Sequence, residues 1–334
     1  MVSHTAKQRH ALPPYTRGWF VVGWSDDLPR GALKQVRQFG HQFTLFRGAD
    51  GLVGVVDDVC PHLGARFSEG GTVQGNCVRC PYHHWSFDRA GACTNIPYSQ
   101  KIPVKARVRS HTVTERYGMI FMYRDQAGGS PDYPLPAMED FVESEFERPA
   151  QYTFTIRIHP QDIMENSVDS AHFRAVHGHA TAVNHFRAEG KQMRITQRLT
   201  VRRFFTEIKN DLEFHMIEPG FHYVHFPRIV GHLRAVVFSS IVPIDDQRTN
   251  HRLAIWVSKS PVPGVSRLLR RFIVADMMRT YHEDMQIWES KEYLPHPVLC
   301  DGDGAIIKLR RWYAQFFEAA AAATIPASPA DADG

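Results

Sequence analysis

Two pairs of thiol and imidazole donors stand near the front of the chain, Cys60-Pro61-His62 and, after seventeen intervening residues, Cys80-Pro81-Tyr82-His83. Two thiolates and two imidazoles in this order suit a [2Fe–2S] centre of the Rieske type, in which the thiolates hold one iron and the imidazoles the other. A structural zinc ion accepts the same four donors. The order argues against zinc, because zinc fingers usually group Cys with Cys and His with His, whereas each knuckle here mixes the two. Both knuckles place proline after the cysteine and small or aromatic residues beyond the histidine, as in Leu63-Gly64-Ala65 and His84-Trp85.

A second constellation reads Glu165-Asn166-Ser167-Val168-Asp169-Ser170-Ala171-His172-Phe173-Arg174-Ala175-Val176-His177. The spacing predicts a helix over about 161–176, on which Asp169 and His172, at i and i+3, share one face. His177 follows at the helix end before Gly178, so that both imidazoles converge on one metal. Two histidines and one carboxylate with open positions form the facial triad of a non-haem Fe(II) oxygenase. The carboxylate candidates are Asp169 and the late pair Glu283-Asp284, whose helix carries Met285, Ile287 and Trp288 on its apolar side; we take Asp284. A one-electron centre upstream needs an acceptor site, and the triad is that site.

Two scaffolds have to hold these donors. At 334 residues the chain exceeds what one core normally fills, so two cores are the default. Short bursts of apolar residues over 17–57, punctuated by Pro, Gly and Asp, predict small antiparallel strands. The knuckles lie on loops of this β domain, and a strand over 117–123 closes it. The Gly- and Pro-rich stretch 125–136 marks the boundary. Beyond it come a strand over 151–158, the helix just described, long strands between 192 and 258, and helices over 265–291. This gives an α+β fold: an antiparallel β domain over 16–124, then an α+β domain over 125–318 with a central antiparallel sheet covered by helices. A polar tail is expected over 1–15 and a disordered Ala-, Pro- and Asp-rich tail over 319–334.

Composition narrows the setting. Five cysteines, an odd number, argue against a disulfide framework and for the cytoplasm. No apolar run approaches the roughly 18 residues of a membrane span, and residues 1–16 lack a signal-peptide core. A formal charge of +4, spread along the chain, points to no nucleic acid. The segment 266–274 is basic and amphipathic, and a solvated helix face explains it better than contact with lipid.

On both motifs the chain resembles the oxygenase α-subunits of the Rieske non-haem iron oxygenases. The pattern Asp-x-x-His-(x)₄-His falls on Asp169, His172 and His177. The C-terminal part is similar to the 3-ketosteroid 9α-hydroxylase oxygenase components and the Neverland-type cholesterol 7-desaturases, through His282–Trp288, Pro297–Gly304 and Leu309–Phe317. Gly70–Val73 and Asn95–Tyr98 flank the second knuckle in the same manner. The resemblance implies Cys60, His62, Cys80 and His83 as cluster ligands, and His172, His177 and Asp284 as ligands of a mononuclear Fe(II). It also implies a homotrimer in which Asp169 bridges to His83 of the neighbouring subunit. Where the family often has glycine after the second cluster histidine, this chain has His84.

Inserting one atom of O2 consumes two electrons from outside, whereas the cluster delivers one at a time. With no Gly-x-Gly-x-x-Gly opening a helix and no flavin domain, a separate ferredoxin reductase-type donor, with or without a ferredoxin, has to bring electrons from NAD(P)H. The strand Gly220–Pro227 puts Phe221, Tyr223 and His225 on one face and His222, Val224 and Phe226 on the other. Either face can line an apolar cavity; we take Phe221, Tyr223 and His225, with Asn166, Phe173 and Val176, as the substrate-binding residues. The reading is a terminal oxygenase hydroxylating or desaturating a hydrophobic polycyclic substrate, a steroid or sterol. The alternatives are oxidation of an aromatic or heteroaromatic natural-product intermediate at carbon or nitrogen and, more remotely, an iron–sulfur carrier or sensor.

Overall fold

The computed structural model describes residues 12–178, 180–203, 206–262, 264–303 and 305–317. The chain divides into two compact units, one from Gly18 to Leu135 and one formed by Pro136 onward with the residues before Gly18. The C-terminal tail expected over 319–334 lies outside the described residues, as does most of the N-terminal one. Of the latter, Leu12 is buried in the core of the second unit, and the Pro13 carbonyl lies 3.1 Å from His159 Nε2.

The first unit is built of short antiparallel strands: β1 (Gly18–Trp24), β2 (Leu33–Gln38), β3 (His41–Arg47), β4 (Val53–Asp57), β5 (Thr72–Gln74), β6 (Cys77–Arg79), β7 (Ser86–Phe87), β8 (Cys93–Asn95), β9 (Val113–Arg116) and β10 (Met119–Arg124). They form three small sheets, β1-β10-β9, β2-β3-β4 and β5-β6-β7-β8. Phe46, Val56, Phe67, Val78 and Phe87 make a core against which Cys60 and Cys80 are packed. Both knuckles therefore start from fixed ground.

The second unit is a seven-stranded antiparallel sheet with helices on it. Its strands are β11 (Ala150–Ile156), β12 (Ala180–Glu189), β13 (Gln192–Arg203), β14 (Thr206–Glu218), β15 (Phe221–Val230), β16 (Leu233–Pro243) and β17 (Thr249–Val257). The order β11-β17-β16-β15-β14-β13-β12 is a meander closed at one edge by β11. Strand β12 is an addition to the expected set. The helices are α1 (Pro160–Asn166), α2 (Ser170–Ala175), α3 (Val265–Trp288) and α4 (Ile306–Ala314). Ile163 and Met164 of α1, Val274 and Met278 of α3, and Leu309 and Tyr313 of α4 share one core with Ile195, Phe214, Ile241 and Ile255 of the sheet.

The single helix expected over 161–176 is two helices. Pro160 opens α1 behind the His159 cap, and α1 ends at Ser167. Asp169, extended at φ −82° and ψ 95°, starts α2 as its N-cap. Ser and Asp side chains compete for backbone hydrogen bonds and favour such breaks, which periodicity alone does not reveal. The break is held from outside: Arg310 of α4 grips Glu165 of α1 at 2.7 and 3.1 Å, and Lys291 reaches the buried Asp162 at 2.8 Å. A paired guanidinium–carboxylate contact of this kind fixes orientation as well as distance.

Candidate metal centres and substrate cavity

The two knuckles are copies of one turn. Cys60 N–H donates to the Ala65 carbonyl and Gly64 N–H to the Cys60 carbonyl, at 2.8 and 3.0 Å; Cys80 N–H donates to Trp85 and His84 N–H to Cys80, at 2.8 and 3.2 Å. The turns carry His62 and His83 to a ring separation of 4.7 Å. His62 stacks on Trp85 at 4.4 Å, and the Trp85 indole N–H donates to the Tyr98 hydroxyl at 2.8 Å. Just before the first knuckle, the buried Asp58 accepts from Thr44, from the Ser68 amide and hydroxyl, and from Gln35. Burial works against its ionisation, but these hydrogen bonds outweigh it and hold the carboxyl below the usual carboxylate range.

The donor set fits an iron–sulfur cluster. Cys60 and Cys80 are buried free thiols, and burial, with the Cys80 thiol alongside, pushes Cys60 up to about 12 against the opposing His62 N–H. Thiols there ionise only against strong positive charge, which a metal centre supplies. His83 Nδ1 is buried without a hydrogen-bond partner among the described residues. Such an atom is costly unless something binds it.

In the second unit His172, His177 and Asp284 bring their donor atoms within 4.8 Å of one another. Asp284 Oδ1 lies 3.2 Å from His177 Nε2 and 4.0 Å from His172 Nε2. The other ring nitrogens are committed. His172 Nδ1 lies 2.5 Å from the backbone carbonyl of Asp169, so its proton sits on Nδ1 and Nε2 is left as a ligand. His177 Nδ1 contacts Glu283 Oε2 at 2.8 Å, and Glu283 is held by Arg279 at 2.7 Å. Partners of this kind fix tautomer and ring orientation in metal sites. Burial lowers the pKa of His172; for His177 the Asp284 and Glu283 carboxylates outweigh burial and raise it. Two inward Nε2 atoms and one carboxylate oxygen fit a mononuclear iron.

Asp169 does two things at once. Oδ1 accepts from the amides of Ala171 and His172, at 3.0 and 3.2 Å, and its carbonyl sets the His172 tautomer. It is thus the cap of α2 and not a helical neighbour of His172.

A cavity of about 260 Å³ opens beside the triad, lined by Asn166, Phe173, Phe214, Val224, Phe226, Ile255 and Met277 among others. Asn166 Nδ2 stands 3.2 Å from His172 Nε2. Four of the six expected lining residues are placed elsewhere. Val176 is not part of the wall, and strand β15 turns the opposite face inward, with His222, Val224 and Phe226 lining the cavity. Phe221 stacks on Phe238, the Tyr223 hydroxyl accepts from the Glu139 amide at 2.8 Å, and His225 lies 3.0 Å from the Glu139 carbonyl. The segment around Glu139 covers that second face, a tertiary contact that alternation along a strand cannot rank.

Residues 18–110 match the Rieske [2Fe-2S] domain, and residues 122–317 match the 3-ketosteroid 9alpha-hydroxylase C-terminal domain. The chain belongs to this Rieske oxygenase family. A cholesterol 7-desaturase (nvd 1) of Ciona intestinalis is 30% identical over 95% of this chain and 72% of its own. A 3-ketosteroid-9-alpha-monooxygenase oxygenase component of Rhodococcus rhodochrous is 28% identical over 91% and 83%. Among solved structures, NdmA of Pseudomonas putida CBB5 superposes with a TM-score of 0.73 over 92% of this chain and 94% of its own, at 20% identity, which shows the shared fold.

As a Rieske non-haem iron oxygenase component, the protein carries a [2Fe–2S] cluster and iron and acts on O2. No helix among the described residues is long and apolar enough to cross a membrane. Sequence reasoning did not reach Asp58, Trp85 or Glu283 as supports of the centres. Glu283 had a signal, since it adjoins Asp284 on a helix where a carboxylate one position away can meet the second nitrogen of the same imidazole.

Proposed function

We propose that this oxygenase component hydroxylates or desaturates a steroid or sterol, using His172, His177 and Asp284 as the iron ligands and Cys60, His62, Cys80 and His83 as the cluster ligands. The observation that carries the substrate reading is the cavity wall: among the described residues no Lys or Arg lines it, and aromatic and aliphatic side chains dominate it. Such a wall suits a fused-ring hydrophobe and offers no partner to a substrate carboxylate. The relatives named for cholesterol and 3-ketosteroids support the same reading.

When bound, the cluster supplies single electrons and the mononuclear iron supplies oxygen activation. The chain's own residues do the rest. Asp169 and Glu283 hold the two imidazoles with their Nε2 atoms inward, and the apolar wall excludes water and fixes the ring system. Electrons come from a separate reductase, for which the first unit is the entry side. We further propose a cytosolic homotrimer in which Asp169 of one subunit meets His83 of its neighbour. In support, Asp169 Oδ1 takes both capping amides and leaves Oδ2 without a hydrogen bond to either, and heterologous contacts close readily into a three-membered ring.

A single turnover tests this reading. Chemically pre-reduced, iron-loaded protein is mixed with 3-ketosteroids, sterols and aromatic amines, oxygen is admitted, and products are read by mass spectrometry. A steroid gaining one oxygen marks a hydroxylase and one losing two hydrogens a desaturase. Oxidation of the aromatic compounds alone overturns the steroid reading.

A further inference from the structure

Apart from the triad, Asn166, Asp276 and Thr280, the cavity wall carries a cluster of five polar residues. His222 of β15 and Ser239 of β16 are directly paired across the strands, so their side chains stand together on one face. Ser167, His251 and Tyr281 complete the patch, and all five residues line the cavity. Its two halves differ. Ser239 Oγ and His251 Nε2 are hydrogen-bonded at 2.6 Å, and His251 Nδ1 and the Tyr281 hydroxyl at 2.7 Å. His222 is held loosely, with Nε2 3.4 Å from Ser167 Oγ and a buried Nδ1 that has no hydrogen-bond partner among the described residues.

Counting hydrogens shows what the patch lacks. Ser239, a neutral His251 and Tyr281 carry one transferable hydrogen each and share two hydrogen bonds, so one hydroxyl hydrogen is left for a further partner. His222 adds an imidazole with one nitrogen unmatched. Five buried polar groups in an apolar wall, incompletely satisfied by each other, cost stability that a packed wall would not. They are accounted for when a ligand oxygen completes them.

We propose that this patch is a recognition subsite for one neutral oxygen of the substrate, a hydroxyl or a ring carbonyl, bound by His222 and Ser239. The proposal rests on the ring-system substrate argued above and adds to it a required oxygen function. The oxygen is neutral because the patch offers no cation: burial holds His222 down to about 4 and His251 down to about 3, so both are uncharged near neutrality. A hydroxyl satisfies either tautomer of His222, and a carbonyl accepts the spare hydrogen.

The test is equilibrium binding to the full-length, iron-loaded protein with two matched pairs, 5α-cholestan-3β-ol against 5α-cholestane, and 1-naphthol against naphthalene. The oxygenated member is expected to bind about tenfold or more tightly than its parent, the scale of leaving buried polar groups unpaired. In Ser239→Ala and His222→Phe this ratio falls toward one while affinity for the hydrocarbon is kept, a pattern that a misfolded variant does not produce. If the steroid pair binds without discrimination, the subsite is overturned and the steroid reading stands. If only the naphthalene pair binds and discriminates, the subsite stands and the steroid reading falls. Failure of both pairs to bind, or an unchanged ratio in both variants, overturns the subsite.

Discussion

The first unit holds its donors on two local turns, each a Cys-Pro knuckle closed by the same two backbone hydrogen bonds. The second unit gathers its donors from segments far apart in the chain, His172 on α2, His177 just past the end of α2 and Asp284 on α3, and aims the two imidazoles through the Asp169 carbonyl and the Glu283 carboxylate. In the first case the donor spacing is itself the structure. In the second, the spacing only nominates residues, and tertiary packing decides which atoms face inward. The cluster turns are therefore expected to behave as one block, whereas the triad should come apart piece by piece.

Removing one donor from each centre gives the largest contrast. Cys80→Ser is expected to lose the cluster absorbance and, because Cys80 is part of the buried core, to destabilise the first unit as well. Asp284→Ala should lose only the mononuclear iron, keep the visible spectrum and abolish substrate oxidation. Metal analysis together with absorbance distinguishes the two, and a colourless Asp284→Ala protein would break the idea that the centres are independent in assembly.

Asp169 sharpens the comparison, since it caps a helix in one unit and is proposed to reach the cluster of a neighbouring subunit. Asn caps a helix about as well as Asp, whereas Ala costs about 1 kcal/mol. Asp169→Asn should therefore keep the thermal stability of the parent, and Asp169→Ala should lose about that amount. Both are expected to retain both metals and to lose turnover by roughly 10- to 100-fold or more, the range found when partners of ligand imidazoles are removed. If Asp169→Asn turns over normally with full coupling, the carboxylate acts as a cap alone.

The unequal legibility of the molecule follows from the same contrast. Cys60, His62, Cys80 and His83 declare themselves because ligand order and spacing are chemical constraints that act along the chain. The sheet and helices of the second unit were readable as an α+β order, because apolar periodicity survives in long elements. The break between α1 and α2 was not, since it depends on Ser167 and Asp169 preferring cap geometry over continuing a helix. The two faces of β15 cannot be ranked from the sequence, because Phe221 and Tyr223 are as apolar as Val224 and Phe226; the chain around Glu139, bonded to Tyr223 and His225, is what separates them. Asp58 was invisible for a related reason: Gln35, Thr44 and Ser68, which pin it, come from β2, β3 and the loop after the first knuckle.

The smallest effect lies inside the cluster turns, where the two copies are not identical. Gly64 and His84 occupy the same position, four residues after their cysteines, with φ of 79° and 62°. A side chain in this left-handed region costs about 1 kcal/mol, partly offset because glycine has more freedom to lose on folding. His84→Gly should therefore stabilise the first unit by about 0.5 kcal/mol, seen as a small rise in the denaturation midpoint of the cluster-loaded protein with its absorbance unchanged. Gly64→Ala tests the same physics in reverse: an added Cβ meets nothing within 4 Å, so the expected net loss of about 0.5 kcal/mol comes from backbone conformation and not from a clash. If His84→Gly is instead destabilising, or slows reduction of the cluster by its donor, the exposed imidazole makes a contact that outweighs the strain, and the strained turn is retained for that contact.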